Sequence, residues 1–160
     1  MALPPHEYAR SALDAELHVQ VAVDHVELPP VTPGEAVVTG RIARVFRGAP
    51  SLHATPVSFT VEVCRDGDDV DPGGTLWTDP ARLAEASVIE VFLARHGEGF
   101  RNASYDTTLL TAPTDSPTIA YTEEMAQDPD DSPTEGPRRM LLVGIAMAIG
   151  LVVLGWVLVG

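Results

Sequence analysis

The densest set of chemistry-bearing side chains is the run Arg65-Asp66-Gly67-Asp68-Asp69-Val70-Asp71, where Asp66, Asp68, Asp69 and Asp71 crowd six positions. A calcium loop of the EF-hand kind opening at Asp66 needs an oxygen ligand at its fifth position, glycine at its sixth and an acid at its twelfth. Those positions hold Val70, Asp71 and Trp77. The motif fails. The four aspartates are read as a solvated turn, with a looser Ca²⁺ or Mg²⁺ site as the alternative, and no metal or cofactor is expected. Trp77, beside this loop, is either a lid on the core or an exposed anchor for a protein partner.

Other chemistries fare no better. His6, His18, His25, His53 and His96 show no zinc-ligand spacing on one element. His18 and His25 share a strand, but seven residues apart they are expected on opposite faces. Cys64 is the single cysteine, so no intramolecular disulfide forms, and it has no recognisable catalytic partner. There is no Gly-x-Ser-x-Gly elbow. Gly73-Gly74 follow acids that would repel a phosphate. Asn102-Ala103-Ser104 is a glycosylation sequon that matters only after export, and the N-terminus carries no basic, then apolar, secretory signal. A non-catalytic protein is expected.

Charge narrows the partners. The chain has 160 residues and a formal net charge of −13, with 23 acidic residues against ten basic ones, all arginine. That balance excludes nucleic acid and anionic headgroups as docking partners, because both reward basic patches.

The elements that would position these residues are mostly strands. Pro5–Ala15 reads as a short helix within an N-terminal segment 1–16. From Leu17 the period is two: Leu17, Val19, Val21 and Val23 alternate with His18, Gln20, Ala22 and Asp24, predicting a half-buried strand. Three prolines in Leu28–Pro33 end it. A second strand places Val38, Gly40 and Ile42 on one face, and a slip of phase to Val45 predicts a bulge near Ala43–Arg44. Val57, Phe59, Val61 and Val63 give a third strand. Asp79-Pro80 reads as an N-cap followed by proline at the first helical position. "SVIEVFLARHG" is a near-continuous apolar run and predicts a central strand, and Glu98-Gly99 a hairpin into a fifth, "FRNASYDTTLLT". The fold class expected for 17–111 is mainly β: a small five-stranded barrel or sandwich, OB-like or Ig-like.

Gly40-x-Ile42-x-x-Val45-x-x-Gly48, the alternating strand Val57–Val63, the glycine-bearing loop, the short helical turn and Val91-Phe92-Leu93 together resemble the OB-like barrel of the netrin-like and TIMP-like group. The resemblance covers about residues 17–111 and implies the fold alone. The family's cysteine framework and inhibitory N-terminal cysteine are absent, so protease inhibition has no residue to carry it.

Residues 112–137 hold five prolines, seven acidic residues and no basic one, a composition expected of an extended linker, with Thr118–Tyr121 the one stretch able to add an edge strand. After Arg138 and Arg139 come 21 uncharged residues, Met140–Gly160. As a helix at about 1.5 Å per residue they reach roughly 31 Å, enough to cross a bilayer core. The segment 138–160 is expected to be a transmembrane anchor, with Arg138 and Arg139 holding the N-terminal domain in the cytoplasm and Trp156 at the far interface. Gly144, Ala146, Ala148, Gly150 and Gly155 give small-xxx-small spacing on which a second helix can pack, either a copy of itself or a helix of a larger complex. The functional expectation is a tail-anchored, single-pass accessory subunit of a membrane complex, respiratory or photosynthetic, in a bacterial inner membrane. The alternatives are a free-standing anchored module that captures a ligand or soluble protein and, behind it, a membrane-tethered enzyme.

Overall fold

In the computed structural model, which describes residues 3–69, 76–97, 99–104 and 107–128, the alternating segments close on themselves. The strands are β1 (Leu17–Glu27), β2 (Gly34–Arg47), β3 (Pro56–Val63), β4 (Val88–His96), β5 (Gly99–Asn102) and β6 (Thr108–Leu110). Neighbours run β1-β2-β3-β5-β4, and β4 pairs again with β1, so one continuous sheet forms a five-stranded barrel rather than two stacked sheets. All these pairings are antiparallel except β3 with β5, which is parallel at Phe59↔Phe100 and Thr60↔Arg101.

The inward set is the one the alternation marks. Val19 and Val21 of β1, Val38 and Ile42 of β2, Phe59, Val61 and Val63 of β3, and Ile89, Val91 and Leu93 of β4 form one buried cluster. Each side chain of this size contributes about 1.5–3 kcal/mol when taken out of water. One barrel end is filled by Leu83 of the short helix α2 (Pro80–Glu85). The Asp79 side chain accepts a 2.9 Å bond from the Arg82 amide, the cap expected from Asp79-Pro80.

Closing so small a barrel requires sharp strand coiling, and bulges supply it. The β1–β2 register steps from Gln20↔Arg44 to Val21↔Ile42, leaving Ala43 as an extra residue where the slip of phase predicted one. A second step, from Val23↔Gly40 to His25↔Thr39, leaves Asp24 extra on β1. Past it Val26 packs on the core. His25 therefore points outward, as His18 does, and the expectation of opposite faces is overturned by a bulge the alternation does not reveal. The expected fifth strand is interrupted: β5 and β6 pair with successive parts of β4, at Leu93↔Asn102 and Glu90↔Thr108.

The outer face is covered too. Helix α1 (Pro5–Asp14) lies against it, and the Arg47 guanidinium donates to the Leu13 carbonyl at 2.8 Å and to the Ala12 carbonyl, occupying acceptors that a helix C-terminus leaves free. The region expected to be a linker from residue 112 does not begin there. Residues through Gln127 belong to the same compact unit as the barrel, and Ile119 and Tyr121 pack against Ala12, Ala15 and Phe92. Thr118–Tyr121 forms no strand. The composition that argues for a linker averages over the few apolar and threonine side chains that dock this strap. Arg138, Arg139, Gly144, Ala146, Ala148, Gly150, Gly155 and Trp156 lie outside the described residues. Among the described residues, no helix is long and apolar enough to cross a membrane.

Candidate functional site

The most organised polar constellation sits under the strap, on the outer face of β1 and β4. Gln20 stands opposite Glu90, and His18 opposite Phe92, in an antiparallel pair. Glu90 is the one acid in the apolar run of β4, and at 1% exposure its carboxylate must find partners. Oε1 accepts from His18 Nε2 at 2.9 Å, the Thr118 amide at 3.0 Å and the Ile119 amide at 3.2 Å. Oε2 accepts from Gln20 Nε2 at 2.8 Å and Thr118 Oγ1 at 2.9 Å. Two successive amides of the strap thus form a small anion-holding concavity around a protein carboxylate. Gln20 extends the network: its Nε2 also donates to Thr114 Oγ1 at 2.6 Å, and its Oε1 accepts from the Thr114 amide at 2.8 Å.

Protonation states follow from these partners. Burial pushes the Glu90 carboxyl up, but the bonds from Gln20, Thr118, His18 and Ile119 together outweigh it and hold Glu90 below its ordinary value. An ionised Glu90 has only acceptors, so the proton shared with His18 rides on Nε2. Burial is the main influence on His18 and lowers its pKa; Glu90 opposes and Arg47 reinforces the shift. The imidazole is therefore neutral near pH 7. It stacks on Phe92 at 4.0 Å between centroids and tilts against Phe46 at 5.1 Å. A histidine beside a carboxylate is the arrangement of a general base, but here His18 Nε2 is spent on Glu90, and both Glu90 oxygens also accept from the strap. What this cluster does is hold a segment.

A second region lies at the end of the barrel where β2 begins and β3 stops. Gly34 pairs with Val63, and Val63 bridges Thr78, so the β1–β2 loop and the segment after β3 meet there. Asp68 accepts from the Arg65 amide at 2.8 Å and takes the Cys64 thiol at 3.6 Å, and hydrogen bonds from Thr32 and Arg65 hold it below the usual carboxylate range. Asp68 is thus turned onto its own loop, while Asp66 and Asp69 are exposed and Asp71 lies outside the described residues. Among the described residues, no three His, Cys, Asp or Glu side chains are grouped to hold a metal ion. Burial, and then Asp68 and Asp66, push the Cys64 thiol up. Around this loop stand exposed apolar side chains: Leu28 (37%), Val31 (70%), Leu76 (48%) and Trp77 (37%).

A shallow cleft of about 160 Å³ runs between β3 and β5, lined by Glu35, Thr60, Glu62, Leu76, Arg101 and Thr107 among others. The sequon beside it is engaged, with Asn102 bonded to Thr107 at 2.9 Å and Ser104 fully buried.

The sequence singles out Trp77 and the aspartates and passes over His18, Gln20 and Glu90, which read as the polar face of one strand and as part of an apolar run. The signal was present. A lone glutamate inside "VIEVFL" cannot reach solvent from a central strand, so it demands donors, and the outward pair on the neighbouring strand supplies two of them. Comparison with protein-family models, with curated proteins and with solved structures finds no match to this chain.

Proposed function

We propose that this chain is a non-catalytic, membrane-anchored contact protein: an OB-like barrel on the cytoplasmic side, tied by the segment 138–160 to a larger membrane complex as an accessory subunit. Support for the OB-like assignment comes from the barrel order β1-β2-β3-β5-β4, the parallel β3–β5 contact and the helix between β3 and β4. The observation that carries the functional reading is the apolar barrel end, where Leu28, Val31, Leu76 and Trp77 are exposed beside an acidic loop. Exposed apolar side chains on segments that meet at one end of a domain, here the β1–β2 connection and the residues before Thr78, are what a protein interface uses. The buried polar cluster adds support of a different kind, since Glu90 is engaged by the strap and His18 by Glu90.

The test is mild detergent extraction of the full chain from its native membrane through an N-terminal tag, for the wild type and for a Val31→Ser/Trp77→Ser variant. The wild type is expected to elute with membrane-protein partners in fixed proportion, and the variant to lose them while keeping its far-UV circular dichroism. A wild type that elutes alone and monomeric refutes the accessory role. The cleft between β3 and β5 favours a second reading, an anchored module that binds a small polar ligand; Glu62→Ala and Arg101→Ala, rather than Trp77→Ser, would then abolish ligand binding.

A further inference from the structure

We propose that the strap, residues 112–127, is a detachable latch: it opens as a unit while the barrel stays closed, and Glu90 sets how often it does so. Three features of its attachment support this. The strap adds no strand to the sheet; its amides at Thr114, Thr118 and Ile119 bond to the side chains of only two barrel residues, Gln20 and Glu90. Its backbone–backbone bonds, from Ala126 to Thr122 and from Gln127 to Glu124, are internal to it. Its other ties include Arg44 to Asp115 at 3.3 Å, Arg10 to the Ala126 carbonyl at 3.3 Å, and side-chain contacts of Ile119 and Tyr121 near Phe92, none of them a backbone ladder. The barrel, by contrast, is held by backbone ladders on both edges of β1 and of β4. Segments with few apolar contacts and side-chain-borne hydrogen bonds open locally at much lower free energy than the sheet beneath them.

The groups that face Glu90 explain why it governs the latch. His18 and Gln20 reach it from β1, Thr118 and Ile119 from the strap, and Arg44, cross-strand from Gln20, comes from β2. Arg47 of β2 lies farther out beside His18, and Asp14 of α1 faces Arg47. No arginine touches the carboxylate among the bonds of the described residues, so strap amides and hydroxyl supply much of its stabilisation. Opening removes three of its five donors at once and admits water in their place, a two-state exchange rather than a gradual loosening. It removes Ile119 and Tyr121 from beside the Phe92 ring and frees a segment that, extended at about 3.3 Å per residue, reaches roughly 50 Å. A released strap therefore changes both the barrel's outer surface and the reach of whatever follows residue 127.

Native-state hydrogen exchange on the full chain in detergent tests this. Amides of 114–121 are expected to exchange through an opening that is insensitive to denaturant, while those of β1 and β4 exchange only through a denaturant-sensitive one. Glu90→Gln, which puts an amide donor among donors, is expected to raise strap exchange at least about tenfold and leave β2 and β3 unchanged. Thr118→Ala should act in the same direction with smaller size. Equal opening energies for strap and β4, or strap exchange unmoved by Glu90→Gln, overturn the latch. If Glu90→Gln loses its barrel by circular dichroism, Thr118→Ala decides: a rise confined to 114–121 supports the proposal, and a rise spread through β1 and β4 overturns it.

Discussion

Gly40 tests how tightly the barrel is closed. It lies on β2 opposite Val23, beside the Asp24 bulge, and a Cβ placed there would stand 2.2 Å from the Ala22 carbonyl oxygen and 2.7 Å from Val21 Cγ1. Real Cβ atoms essentially never approach closer than 3.0 Å, so Gly40→Ala forces β2 back from β1 by about 0.8 Å. A ladder bond of roughly 2.9 Å stretched by that much is no longer a bond. Losing one or two of them costs about 1 kcal/mol each, and overpacking adds about 1–3 kcal/mol. Reduced freedom of the unfolded chain offsets about 0.4–1 kcal/mol. The expected net loss is about 2–4 kcal/mol, read as a fall in melting temperature of roughly 8–15 °C for a unit of this size. Gly67→Ala is the control: its φ is +91°, but nothing lies within 4 Å, so only backbone strain of about 1 kcal/mol opposes it. Thermal and urea unfolding followed by far-UV circular dichroism measure both. A Gly40→Ala variant within about 1 kcal/mol of wild type, or no worse than Gly67→Ala, would refute the steric account.

The strap makes a fragment ending at residue 111 poorer than one ending at 127: the shorter should be less stable by about 1–3 kcal/mol in urea, because Glu90 and Gln20 exchange their strap donors for water and the packing of Ile119 and Tyr121 is lost. Acid should destabilise the barrel in two stages. His18 has a folded pKa below its ordinary 6.5, so the unfolded chain binds its proton more readily, and stability full above pH 6.5 falls as pH drops below it. Glu90, held below 4.5, adds a second loss as pH falls through its folded value, and urea midpoints of His18→Gln and Glu90→Gln should each lack one stage. Cys64, with its thiol pushed up, should react with a disulfide reagent at pH 8 more slowly than a free thiol, and Asp68→Asn should speed it; an unchanged rate would count against the Asp68 contact.

What was legible in the sequence follows from where the period-two signal is physically true. Val19, Val21, Phe59 and Val61 alternate because one side of their strands faces a core, and those strands form with the Ala43 bulge and the Asp79 cap where expected. β4 reads as a continuous apolar run because both of its faces are covered, and that was also legible. The outer face of β1 was not. His18 and Gln20 look like solvent-facing residues because they are polar, whereas Gln20 is covered by a segment about a hundred positions away and His18 lies against Phe46, Phe92 and Glu90. Local pattern carries no information about a cover that arrives without secondary structure. The same holds for β5 and β6, where "FRNASYDTTLLT" has strand character at both ends and nothing in its composition marks the interruption.

The placement of arginine gives these pieces a common cause. With ten arginines against 23 acids, a basic side chain is scarce, and an acidic strap laid on an acidic barrel would be repelled. The fold gathers arginines where the strap and α1 meet the barrel: Arg44 reaches Asp115, Arg10 reaches the Ala126 carbonyl, and Arg47 holds the α1 C-terminus above Phe92. The Arg44 and Arg10 contacts are exposed, worth under about 1 kcal/mol each, and they cannot fasten the strap by themselves. They lower the repulsion enough for the buried carboxylate to act. Replacing Glu90 by an apolar residue could give a barrel as stable or more so, as buried ionic groups often permit. It would leave the strap amides with no acceptor and the segment with no fixed register. Glu90 is therefore best understood as specifying where residues 114–119 lie rather than as strengthening the barrel, and the test of that distinction is a Glu90→Leu variant whose sheet melts no lower than wild type while its strap amides lose their protection.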